Sequence, residues 1–322
     1  MTGALSGLAE TVQAVVFWAR CHGLVAGHEE ERRLVSMRLE LLADGALPKT
    51  SDAADVALTG QWAAFICWMD DRIDRQGLGS RVDELERFCS PLREVLVSGA
   101  PAAGGADVLQ ARALASLWGR TAPGMPQAWR ARFTADYLGF LDATEEEAAL
   151  RRSGAVLSLD SYLRLRRRTI TVLPLLDVLE RTVGTLMPDI PQLREQLTEL
   201  RWAVADVAGW VNDLASAADD RTAAQENLVT VLAREHRWSA NEARARAAEM
   251  VDVRRAEFHA LADHLRVIPA LSGERREALC RYVDLVERFL DATLHWLATT
   301  GRFTPAGPGG WDVHRRQARP EN

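Results

Sequence analysis

The sequence predicts an all-α fold, a single bundle of helices with room for a cavity. β-branched alternation closed by Asn-Gly or Asp-Gly turns does not occur, so strand signals are nearly absent. Ala, Leu, Arg and Glu instead recur at helical spacing along the chain. The only Gly/Pro/Ala-rich stretch in the middle, Ser98 to Gly105, is short enough to be an interhelical loop, which argues for one domain.

Breakers divide the chain into eleven expected helices. The first, 5–25, stops before Gly27, and the second, 29–44, before Gly45 and Pro48. A third, 52–76, carries the longest apolar run and ends at Gly77 and Gly79; a fourth follows at 80–98. Beyond the Ser98–Gly105 loop come 105–121, closed by Pro123 and Gly124, and 125–151, closed by Gly154. Helix 159–184 ends at Gly184 and Pro188, and 190–218 and 222–236 follow. Ser239 is placed to cap 239–266, and Pro269 separates that helix from the last, 273–300. Residues 1–304 therefore read as one helical domain, and 305–322, with little periodicity, as a flexible C-terminal tail.

With 322 residues, 48% of them hydrophobic and 26% charged, the composition is globular, and no run of eighteen apolar residues marks a membrane span. A net charge of −6 gives no support to nucleic-acid binding. Lys49 is the only lysine, so any anion site is an arginine site, although genome base bias produces the same composition. Cys21, Cys67, Cys89 and Cys280 are scattered without CxxC spacing, which points to a reducing, cytoplasmic setting rather than a zinc or disulfide framework.

In the third helix the apolar run stops abruptly at Asp70, Asp71 and Asp74. Asp70 and Asp74, four residues apart, share a face and can offer hard oxygens to Mg²⁺; Asp71 points about 100° away. A solvated helix end, with Arg72 and Arg75 pairing the acids, reads the same string equally well. In the eighth helix Asn212, Ser216 and Asp220 recur at every fourth residue. Helix propensity gives no reason for such residues in an Ala/Val-rich helix, whereas chelation of a further ion does; scattered polar residues near a helix end are the plainer alternative. Between the two lie Arg166, Arg167 and Arg168. One of them facing the interior needs an anion there, with the other two turned to solvent.

Taken jointly, these segments resemble the bacterial class I terpene synthases, from about Phe17 to Phe303. Asp70, Asp71 and Asp74 match the family's DDxxD motif, and Asn212, Asp213 and Ser216 match its second metal motif, with Asp220 in the glutamate position. The resemblance implies a class I terpenoid synthase-like bundle around a central apolar cavity. Its implied activity is a Mg²⁺-dependent terpene cyclase, with three ions held by Asp70, Asp74, Asn212, Ser216 and Asp220. It also implies that Arg166 senses the diphosphate, that Thr169 and Ile170 sit at a helix break, and that Arg302 and Phe303 replace an Arg-Tyr pair, with Trp296 as a cavity wall. Phe65, Ile66, Cys67, Ala208 and Gly209, one turn before the metal ligands, are the remaining expected wall residues. Cys67, Ala208 and Gly209 are small, which hints at a roomy pocket for farnesyl or geranylgeranyl diphosphate. A homodimer is compatible with the resemblance.

Three departures bear on the transfer. Asp220 is a methylene shorter than glutamate, Asp219 stands where a basic residue is expected, with Arg221 its nearest substitute, and Phe303 lacks the tyrosine hydroxyl. A trans-prenyltransferase would need a second DDxxD, which the later helix lacks. A protonation-initiated cyclase would need DxDD, and a di-iron protein Glu-x-x-His; neither string occurs. The alternative from a different class is a catalytically degenerate helical binding or scaffold protein.

Overall fold

A computed structural model describes residues 2–100, 108–222, 225–269, 271 and 273–303, apart from the side chains of 2–6, 221 and 222. The expected tail, 305–322, and the side chain of Arg221 lie outside the described residues. Among the described residues every regular element is helical: α1 (Thr2–Cys21), α2 (His28–Ser36), α3 (Leu39–Ala46), α4 (Ala53–Asp70), α5 (Val82–Ser98), α6 (Leu109–Thr121), α7 (Gln127–Ser153), α8 (Leu159–Thr169), α9 (Val172–Val183), α10 (Arg194–Thr222), α11 (Leu228–His236), α12 (Ala240–Arg266) and α13 (Gly273–Thr299). The all-α class read from the sequence holds.

Three expected helices are divided or change type, each for a backbone reason, and the expected 222–236 begins only at Leu228, with α10 running on to Thr222. The 29–44 stretch divides into α2 and α3 because Arg38 adopts φ +55° and reverses the chain. The 159–184 stretch divides at Ile170–Thr171, where Thr171 has φ +60°; Pro174 then falls in the first turn of α9, where its missing N–H costs nothing. The 52–76 stretch is α-helical only to Asp70 and continues as one π turn, Asp71–Arg75, which carries the rest of the aspartate motif.

α4 is apolar on all sides, and Trp62, Ala63, Ala64, Phe65 and Met69 are all buried, so it must be surrounded. It packs against α1, α3 and α9, while α10 packs against α8, α9, α11, α12 and α13. Trp62, Trp118, Trp129, Phe133 and Tyr137 form a cluster of stacked, tilted and edge-on rings with centroids 4.8–6.2 Å apart. Burial of such side chains contributes roughly 1.5–3 kcal/mol each.

A buried ionic knot ties α7, α9, α10 and α13 together. Arg201 meets Asp136 at 2.7 Å, Asp177 at 2.9 Å and Glu180 at 3.0 Å, and donates to the Tyr282 hydroxyl. Burial pushes the Asp136 carboxyl up to about 6 against the pull of Arg201. Arg201→Ala leaves three acids with less compensation and is expected to cost about 3–5 kcal/mol, read as a lowered urea midpoint; an unchanged midpoint would contradict this role.

Candidate active site

α4 and α10 face each other across one cleft of about 480 Å³, lined by Asp70 and Asp74 on one side and Asn212, Ser216 and Asp220 on the other. The apolar environment of both helices explains the placement: such oxygens are stable there only beside partners or a cleft. Both expected ligand groups therefore reach one space. No thiol or imidazole lines it, so the donors are carboxylate, amide and hydroxyl oxygens, a set that suits a hard divalent cation. Among the described residues no group of three or more His, Cys, Asp or Glu side chains is placed to hold an ion alone.

Each wall pairs a cleft-facing residue with a neighbouring acid that grips an arginine. On α10, Asp213 accepts from Arg166 Nε at 2.9 Å, from the Tyr162 hydroxyl at 2.5 Å and from the Leu228 N–H at 3.1 Å, while Asn212 Oδ1 accepts from Arg166 Nη2 at 2.8 Å. On the π turn, Asp71 accepts a two-pronged bond from Arg33, both prongs at 2.8 Å, and its Oδ1 lies 3.4 Å from Arg302 Nη2. Arg302 also pairs with Asp70. Asp71 is thus engaged by arginines on α2 and the C-terminal segment, and Arg302 bridges it to Asp70.

That segment is held at the α2–α3 elbow. The Trp296 indole N–H and the Thr300 hydroxyl donate to Met37 O at 2.7 and 2.9 Å, Gly301 N–H donates to Ser36 O at 2.9 Å, and Arg75 donates to Arg302 O at 2.9 Å. A Cβ at Gly301 would lie 2.7 Å from Ser36 O, so this approach requires glycine.

Charge in the cleft is finely balanced. Burial lifts Asp74 well above the ordinary carboxylate range, and Asp70 and Glu147 add to the effect. Glu147, from α7, is raised by burial against the opposing pull of Arg151 and Arg166. Burial also raises Asp220, while hydrogen bonds from Ser216 and Asn227 oppose it. For Arg302, burial alone would favour the neutral form, but Cys67, Asp70 and Asp71 raise it and keep it cationic.

Beneath the cleft lies an apolar chamber of about 80 Å³ lined by Ile66, Cys67, Thr169, Ile170, Ala208 and Trp296 among others, with Asp70, Arg166, Asn212 and Arg302 at its mouth. Leu42, Phe289 and Leu297 line it together with the small residues. Phe65 is fully buried and stacks on Trp68 with centroids 6.2 Å apart, outside the chamber lining. Gly209 also lies outside it, where an added Cβ would meet Arg166 Cγ at 3.4 Å, ordinary contact with α8. Burial pushes the Cys67 thiol up to about 11, despite Arg302 nearby.

The remaining expected residues are placed as follows. Asp219 and Phe303 line the cleft. Arg72 stacks over Trp68 at 4.9 Å instead of pairing with the motif's acids. Of the three arginines, Arg166 faces inward as expected and Arg168 pairs with exposed Glu146. Arg167 does not turn to solvent: it makes a two-pronged bond, 2.8 Å on each side, to buried Asp206 and lies over Trp202. Sequence reasoning missed Glu147, Tyr162 and Asn227. A tyrosine one turn before Arg166 was the only available signal for Tyr162, and nothing separated Glu147 from Glu145 and Glu146.

Comparison with known proteins identifies the family. Residues 61–257 match the family model described as terpene synthase family 2, C-terminal metal binding. Pristinol synthase of Streptomyces pristinaespiralis is 32% identical, over 95% of this chain and 83% of its own. A (−)-β-caryophyllene synthase of Saccharothrix espanaensis, which cyclises (2E,6E)-farnesyl diphosphate, is 28% identical over 94% of this chain and 81% of its own. The solved linalool/nerolidol synthase from Streptomyces clavuligerus, in complex with 2-fluorogeranyl diphosphate, superposes with a TM-score of 0.81 at 27% identity, covering 90% of this chain and 98% of that one. No helix among the described residues is long and apolar enough to cross a membrane. With a family model spanning more than half its length and a relative matched nearly end to end, the chain belongs to the bacterial class I terpene synthases and is a terpene cyclase that uses a divalent metal.

Proposed function

We propose that this enzyme ionises farnesyl diphosphate with the help of three Mg²⁺ ions and cyclises the resulting carbocation in the chamber beneath the cleft. The observation that carries the reading is the convergence of Asp70 and Asp74 with Asn212, Ser216 and Asp220 on one cleft that opens onto an apolar chamber. Bound divalent ions supply Lewis-acid neutralisation of the departing diphosphate. Arg166 and Arg302 complete that neutralisation with planar forks that match phosphate oxygens. Both arginines are already fixed in direction, by Asp213 and Asp71, so little ordering remains when the substrate arrives.

In the chamber, Ile66, Ile170, Leu175 and Phe289 exclude water from the cation. Trp296 offers a ring face for cation stabilisation, its indole N–H being tied to Met37 O. The farnesyl diphosphate named for three relatives favours a fifteen-carbon chain over the twenty-carbon geranylgeranyl diphosphate. Residues 1–304 are taken as the catalytic domain and the cytoplasm as its compartment, a setting supported by four free cysteines.

The test is incubation of purified protein with ten-, fifteen- and twenty-carbon isoprenyl diphosphates and Mg²⁺, followed by mass spectrometry of the extract. Farnesyl diphosphate is expected to give a cyclic fifteen-carbon product and free diphosphate. Longer diphosphates would instead indicate a chain-elongating enzyme, and absence of turnover on all three would leave a binding protein.

A further inference from the structure

Asp220 poses a problem of reach. It stands near the end of α10, where helices fray, and its carboxylate is one methylene shorter than the glutamate of the family pattern. A shorter acid has less freedom to meet an ion shared with Asn212, so its direction must be set by its neighbours.

We propose that Asn227 is the positioning residue for Asp220, aiming its carboxylate into the cleft. Asn227 is fully buried, and each hydrogen-bonding atom of its carboxamide has a partner. Nδ2 donates to Asp220 Oδ2 at 2.6 Å and to the backbone oxygen of Asp213 at 2.9 Å. Oδ1 accepts from the Val229 N–H at 2.9 Å, which makes Asn227 the N-cap of α11. One side chain therefore joins three things: the start of α11, the backbone beside the arginine-gripping acid, and the third cleft-facing oxygen. Ser216 donates to the same Asp220 oxygen at 2.5 Å, so two donors fix one oxygen. With both N–H groups committed and water excluded, the amide cannot rotate without orphaning a buried polar group. The position of α11 thus sets the position of Asp220.

Outer partners of this kind govern metal affinity more than fold, and their removal costs roughly 10–100-fold in affinity. The inference rests on the metal reading above, and its test keeps the two separable. Asn227→Ser retains a good N-cap for Val229 but cannot reach Asp220 and Asp213 together. Asn227→Thr, run alongside, also caps and fills more of the space. The readout is thermal stabilisation by MgCl₂ in the presence of inorganic diphosphate, which needs no turnover. The parent should melt higher with both present; if it does not, the metal reading itself fails. In the variants, the Mg²⁺ concentration giving half the upshift should rise about tenfold or more, with the ligand-free melting temperature only slightly lowered. Adding Asn227→Ser to Asp220→Ala should then move the half-point no further than Asp220→Ala alone. An unchanged half-point in both single variants, or a further shift in the double variant, would overturn the assignment.

Discussion

Alanine at Asp70 or at Asn212 is expected to lower turnover of farnesyl diphosphate by roughly 10²–10³-fold or more, with the far-ultraviolet circular dichroism and melting temperature close to the parent's. The first effect follows from the cleft, where each residue stands as one of the proposed oxygen donors of its wall. The second follows from the partners left behind. Asp70 is about half exposed, and Arg302, once freed from it, still lies beside Asp71. Asn212 shares Arg166 with Asp213, which stays in place. Neither change strands a buried charge, so neither carries the penalty of a broken buried pair. Asp71→Ala is different in kind, since it takes away the two-pronged partner of Arg33 and one of the two acids beside Arg302, which keeps Asp70. Parent-like turnover in Asp70→Ala or Asn212→Ala would remove the metal assignment for that wall.

Arg166→Lys is expected to cut turnover by about 100-fold while the protein stays folded. Lysine keeps a positive charge beside Asp213, which also retains its bonds from Tyr162 and Leu228. It loses the fork that spans Asp213 and Asn212 at once. Arg166→Ala strands the Asp213 carboxylate, buried within α10, and is expected to lose about 3–5 kcal/mol of stability besides. Comparing the two separates positioning of the diphosphate from support of the fold. A lysine variant with parent-like kcat would mean that charge alone suffices at this position.

Much of the fold and the heart of the site were legible in the chain, for a physical reason. Carboxylates and amides inside apolar helices have no local cause, so Asp70, Asp74, Asn212, Ser216 and Asp220 stood out against their own surroundings. What sequence periodicity supplies is the angle of a residue around its own helix. It does not supply what faces that angle from elsewhere. Arg167 was misread because its partner, Asp206, comes from α10. Glu147 went unnoticed because its neighbours Asp70, Arg166 and Asp213 come from distant parts of the chain, and Asn227 because its bonds to Asp213 and Asp220 depend on how the chain turns between α10 and α11. The divisions after Ser36 and Thr169 depend on positive φ at Arg38 and Thr171, residue types with no left-handed preference.

The central claim is that two helix walls share one cluster of divalent ions above an apolar chamber. A crystal structure grown with Mn²⁺ and inorganic diphosphate tests it most directly, because manganese is located by its anomalous scattering. The account predicts manganese peaks between the walls, coordinated by Asp70 on one side and by Asn212, Ser216 and Asp220 on the other, with the diphosphate touching Arg166 and Arg302. Manganese bound only outside the cleft, with diphosphate away from both arginines, would contradict it.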